Sequence, residues 1–127
     1  MTEMINGIMA NDVLSTATTA LLDKKAFDVK AIDISKVSVI TDVFMMASGN
    51  NRNQIQAISD EVTEKLERMG CELKHKEGYD SANWILLDFG DIIIHIFDKE
   101  SRDFYDIERI WRDGEMIDLS EYTKIDN

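Results

Sequence analysis

Proline is absent from this 127-residue chain, and cysteine occurs once, as Cys71. With no proline, no internal repeat and no low-complexity stretch, nothing marks a linker, and the length fits one domain. A lone cysteine excludes an internal disulfide and a cysteine-based metal cluster. Histidine is scarce as well, leaving only His75 and His95 as imidazole ligands. Positive charge is short: 14 Lys and Arg stand against 25 Asp and Glu, a net charge of −11. Proteins that work by neutralising phosphates need a basic footprint, so this balance counts against direct DNA binding. No apolar run approaches the length of a membrane span, and MTEMINGIMANDV carries Glu3 and Asp12 where a signal peptide would be basic. The expectation is a cytoplasmic protein with no membrane partner.

What is present is a normal globular composition. The 44% hydrophobic content can build a core, and a 31% charged fraction is ordinary for a folded domain. The acidity suits a basic protein partner, since opposite potentials steer encounter, although it equally serves solubility.

Along the chain, Ile5, Ile8, Met9, Val13, Ala17, Ala20 and Leu21 recur at three- and four-residue spacing, which predicts one amphipathic helix over residues 2–25. DVKAIDIS (28–35) reads as a short strand, and the β-branched and aromatic run around Val43 to Ala47 as a second. SGNN, with a capping residue between Ser48 and Asn51, opens a helix carrying Ile55, Ile58, Val62, Leu66 and Met69, which Gly70 stops. CELKHKEG is a polar strand candidate near a sheet edge. WILLDFGDIIIHIF (84–97) then reads as a hairpin turning at Phe89-Gly90. A last helix starts near 98–101 and docks on the sheet through Phe104 and Trp111. The order α-β-β-α-β-β-β-α predicts an α/β (α+β) domain with a mixed sheet of about five strands and helices packed on it. The domain is assigned to residues 1–113, with 114–127 an acidic, loosely packed tail.

The hairpin holds the polar residues that invite a chemical reading. Asp88-Phe89-Gly90 spells the metal-binding triplet of protein kinases, but no glycine-rich loop, strand lysine or catalytic-loop aspartate accompanies it. Asp88 and Asp91 flank a turn, where aspartates commonly bond nearby backbone amides, and such residues do not project together as paired metal ligands do. Strand alternation puts Ile92, Ile94 and Ile96 on a core face, and Asp91, Ile93, His95 and Phe97 on a mixed one. A lone histidine without a nucleophile or second ligand favours structural or interface use over catalysis. GNNRNQIQAI has one glycine and no lysine, so helix capping explains it better than phosphate cradling. Trp84, Phe97, Phe104, Tyr105 and Trp111 cluster late in the chain, and such aromatics serve cores and interface hot spots alike.

Together ASGNNRNQIQAI, TDVF and EGYDSANWILLDFGDIIIHIFDKESRDFYDIERIW resemble the Iojap-like ribosomal silencing factor family. Trp84, Leu87, Asp88, Gly90, Asp91, His95, Phe97, Arg102, Tyr105, Glu108 and Trp111 fill its motif W-x-L-L-D-x-G-D-x-x-x-H-x-F and the aromatic segment after it. Asn51, where serine is usual, and Ala82 before Asn83 depart from the pattern.

The resemblance implies a nucleotidyltransferase-like fold without catalysis, and neither cofactor nor metal. It implies a translational repressor that binds the large ribosomal subunit at its fourteenth ribosomal protein, blocks small-subunit joining, and lowers translation when nutrients are scarce. Free members are commonly homodimers. A nucleotide-binding, nucleotidyltransferase-like enzyme and a large-subunit assembly factor are the alternatives. The partner-binding residues expected are Trp84, Leu87, Asp88, Asp91, His95, Phe97, Arg102 and Tyr105, with Glu108 and Trp111 holding the last helix to the sheet.

Overall fold

The computed structural model describes residues 3–106, 109 and 112–123. The chain opens on a two-stranded hairpin, β1 (Met4–Ile5) and β2 (Ile8–Met9), paired Met4 to Met9 and Ile5 to Ile8. The helix expected over residues 2–25 is therefore shorter, with α1 running Ala10–Asp23. The reason lies in Asn6-Gly7. Both residues adopt positive φ, 52° and 76°, the backbone of a two-residue hairpin turn that an α-helix cannot contain. Ile5 and Ile8 had matched the helical period by coincidence.

A six-stranded mixed sheet follows in the order β5-β6-β7-β4-β3-β8. It comprises β3 (Phe27–Asp33), β4 (Val43–Gly49), β5 (His75–Glu77), β6 (Trp84–Asp88), β7 (Ile92–Asp98) and β8 (Glu115–Ile117). Only β4 and β7 pair in parallel, because the chain between them crosses over through α2 (Arg52–Arg68) and the β5–β6 edge. The expected mixed α+β class holds. The strand count rises because the acidic tail is partly ordered: β8 pairs antiparallel with β3, and Leu119 is buried.

α1 and α2 cover one face of the sheet. Val13, Leu14, Ala17 and Leu21 from α1 meet Ile55, Ile58, Val62 and Leu66 from α2 over Met45, Ile85, Leu87, Ile92, Ile94 and Ile96. The core face foreseen for the isoleucine run is thus this one. A second cluster, Ile32, Ile34, Phe44, Met46, Ile93 and Phe97, lies on the opposite face, with Trp84 and Leu86 packed against it. α3 (Lys99–Tyr105) closes at Asp106, which adopts a left-handed conformation and returns its N–H to the Arg102 carbonyl. Glu108 and Trp111, assigned above to holding the last helix to the sheet, lie outside the described residues. Among the described residues, no helix is long and apolar enough to cross a membrane.

The ASGNNRNQ segment resolves into a junction between the two helices. Asn51 caps α2 by accepting from the Gln54 amide at 2.8 Å, as the sequence predicts. Gln54 in turn accepts from the Asn50 N–H and donates to the Lys24 and Lys25 carbonyls, satisfying the C-terminal end of α1. Gly49 precedes this junction because a Cβ there would lie 2.7 Å from the Ile55 side chain.

Candidate functional site

The β6–β7 hairpin carries two groups of side chains at opposite ends, about 13 Å apart along the strands at roughly 3.3 Å per residue. At the turn, Asp88 Oδ1 accepts from the Gly90 N–H at 2.8 Å, a local turn bond. Asp91 Oδ2 accepts from the Asn6 N–H at 2.8 Å, while Asn6 Oδ1 accepts from the Asp91 N–H at 3.0 Å. Asn6 Nδ2 also donates to the Phe89 carbonyl at 2.6 Å and to Cys71 Sγ at 3.3 Å. Asp91 therefore clamps the N-terminal hairpin to the turn. The Cys71 thiol beside it is pushed up to about 11, chiefly by burial and then by the Asp91 charge, and stays protonated.

At the other end, on the second face of the sheet, an aromatic cluster surrounds His95. The register sets Trp84 opposite Phe97 and Leu86 opposite His95, so Trp84 and His95 are diagonal neighbours. Trp84 Nε1–H donates to His95 Nδ1 at 2.9 Å. An indole nitrogen can only donate, so Nδ1 is the acceptor and the neutral ring carries its proton on Nε2. Burial pushes the imidazole down to about 4, which keeps it neutral at physiological pH. Phe44 meets the His95 ring edge-on at 4.8 Å between centroids, and Phe97 stacks on it at 6.0 Å. The Trp84 indole continues to Tyr105 at 4.6 Å, and Tyr105 to Phe104 at 5.0 Å. The cluster opens outward there, with Tyr105 44% and Phe104 80% exposed.

Four of the expected contact residues are not surface residues. Leu87 faces the α1–α2 core, on the other side of the sheet from Trp84, because its register partner is Ile94. Phe97 and His95 are buried within the cluster rather than on an open strand face. Arg102 is buried too: its guanidinium donates to Ser48 Oγ at 2.9 Å and to the Asp28 carbonyl at 2.8 Å, fastening α3 to β4 and β3. Asp88 and Asp91 are half-buried, at the end of the hairpin away from Tyr105. Trp84 and Tyr105 remain within reach of a partner. Phe104, expected to dock α3 on the sheet, points outward instead and joins them.

The described residues contain no group of three or more His, Cys, Asp or Glu side chains placed to hold a metal ion. Fold and site together define a small α+β domain that presents a backed aromatic ladder at one end of its second sheet face. The family described as "Ribosomal silencing factor during starvation" matches residues 8–127. The ribosomal silencing factor of Bacillus subtilis is 37% identical over 107 residues, which cover 84% of this chain and 91% of that protein. A crystal structure of a Chromobacterium violaceum protein superposes with a TM-score of 0.80 at 31% identity, covering 83% of this chain and 88% of the other. A mouse protein named "Mitochondrial assembly of ribosomal large subunit protein 1" is 27% identical over 94 residues, 72% of this chain and 41% of its own length. The chain belongs to the ribosomal silencing factor family.

Proposed function

We propose that this protein represses translation in the cytoplasm by binding the large ribosomal subunit at its fourteenth ribosomal protein and excluding the small subunit from the joining face. The observation that carries the reading is the ladder Phe104–Tyr105–Trp84, exposed at its outer end and supported from behind by His95 and Phe97. Rigid aromatic side chains on a packed base are what hot spots are made of. A net charge of −11 complements a basic ribosomal protein, where electrostatics speeds encounter and the aromatics slow dissociation. No chemistry is needed, since two bodies cannot occupy one subunit interface. Asp88 and Asp91, the carboxylates most suggestive of an enzyme, instead accept backbone N–H bonds that shape the turn.

The test is sedimentation of purified subunits with added protein at moderate magnesium. Free subunits should persist at saturating protein, and Trp84→Ala should raise the concentration required by about 30-fold, the loss of one hot spot. Normal assembly of joined particles in the presence of the protein would defeat the reading. The mouse relative's name favours a second role in large-subunit assembly. That role would place the protein on immature particles, whereas silencing places it on mature ones.

A further inference from the structure

His95 is a poor choice for stability. Its Nε2 is buried and, among the described residues, has no hydrogen-bond partner. Its side chain is 3% exposed, packed among Phe44, Trp84 and Phe97. A buried donor left unmade is destabilising, and an apolar residue of similar volume would suit such a pocket better. Among the described residues, the one hydrogen bond the ring makes goes to Trp84, the half-buried member of the outward ladder.

We propose that His95 is a positioning residue: through Nδ1 it fixes the rotation of the Trp84 indole, so that the ring supports Tyr105 and meets the partner already ordered. This rests on the reading of Phe104, Tyr105 and Trp84 as the docking surface. Trp84 has two side-chain torsions, and packing against Phe97 and Tyr105 restrains the ring plane without choosing which edge points inward. A directional bond at 2.9 Å makes that choice. Ordering the indole before encounter removes a cost otherwise met on binding, so its effect falls on complex lifetime.

Two substitutions separate the hydrogen bond from the bulk. His95→Leu fills the pocket without an acceptor, whereas His95→Asn offers an amide oxygen near the position of Nδ1. In a proton–nitrogen NMR correlation of the intact protein, Trp84→Phe identifies which indole signal belongs to Trp84. That signal should exchange slowly with water in the unsubstituted protein and in His95→Asn, and at least about tenfold faster in His95→Leu. Dissociation from purified large subunits should quicken about tenfold in His95→Leu and return to within about threefold of normal in His95→Asn.

If Trp84→Ala weakens binding while His95→Leu dissociates at the normal rate, the positioning role is overturned and the docking surface stands. If Trp84→Ala binds normally, the docking surface itself falls. Should His95→Leu fail to fold, the unsubstituted protein decides. A Trp84 indole proton that exchanges as fast as free indole overturns the proposal, and a protected one supports it.

Discussion

Replacing Asn6 by glycine tests whether the turn aspartates are structural. Glycine keeps the positive-φ backbone at position 6, where φ is 52°, and deletes only the side chain. Lost with it are the bonds to the Phe89 carbonyl at 2.6 Å, from the Asp91 N–H at 3.0 Å, and to Cys71 Sγ at 3.3 Å. At about 1 kcal/mol for each of the first two, and little for the sulfur, the loss comes to about 2 kcal/mol. Asn6→Ala should be worse by about a further 1 kcal/mol, since alanine disfavours the left-handed region. Urea unfolding should show a midpoint lower by about 1–2 M for Asn6→Gly with an unchanged slope. Asp91→Asn retains an oxygen to accept the Asn6 N–H and should remain near normal, whereas Asp91→Ala should not. A midpoint shift under about 0.3 M for Asn6→Gly would refute the clamp. So would an Asp91→Asn protein as unstable as Asp91→Ala, which would mean that the charge of Asp91 matters rather than its geometry.

Two further outcomes follow from buried groups. His95 is held near 4 in the fold against an ordinary 6.5, so the unfolding chain takes up its proton first as pH falls. Stability should be full above pH 6.5 and decline by up to about 3 kcal/mol by pH 4, a slope missing from His95→Leu; equal slopes in both proteins would refute it. Arg102→Ala leaves Ser48 Oγ and the Asp28 carbonyl without the guanidinium and should cost about 2–3 kcal/mol. It should also weaken large-subunit binding although Arg102 is buried, because α3 carries Phe104 and Tyr105; normal affinity would show that α3 does not support the docking surface.

Much of the fold was legible because its elements obey simple periods. The alternation in IIIHIF separated Ile92, Ile94 and Ile96 from His95 and Phe97, and the packing on the two faces agrees. Asn51 and Gly70 bounded α2 as capping chemistry requires. The N-terminal hairpin was missed because its strands are two residues each, too short for alternation to outvote a helical period, although Asn6-Gly7 is a strong turn pair. β8 was missed because Glu115, Met116 and Ile117 are mostly exposed and pair only on one side.

The site was less legible. A sequence shows that Arg102 is charged but not that Ser48, 54 positions earlier, lies ready to receive it. Strand alternation alone puts Trp84 and Leu87, three residues apart in β6, on opposite sides of the sheet, and grouping them by motif overrode that signal. Motif membership marked these residues together, while the structure divides them into a turn clamp, a helix anchor and an aromatic ladder.

The short pairing of β8 with β3 also sets an order of events in the life of the chain. β3 is made early and finds β4 soon afterwards, yet its other edge at Ala31–Asp33 pairs, among the described residues, with Glu115–Ile117, made last among the strands described. Until those three residues arrive, a row of unpaired N–H and C=O groups stays open beside an apolar strand, a template on which another chain could add. A chain cut short before residue 115 would keep that edge exposed permanently and should aggregate through it, even with the aromatic ladder intact.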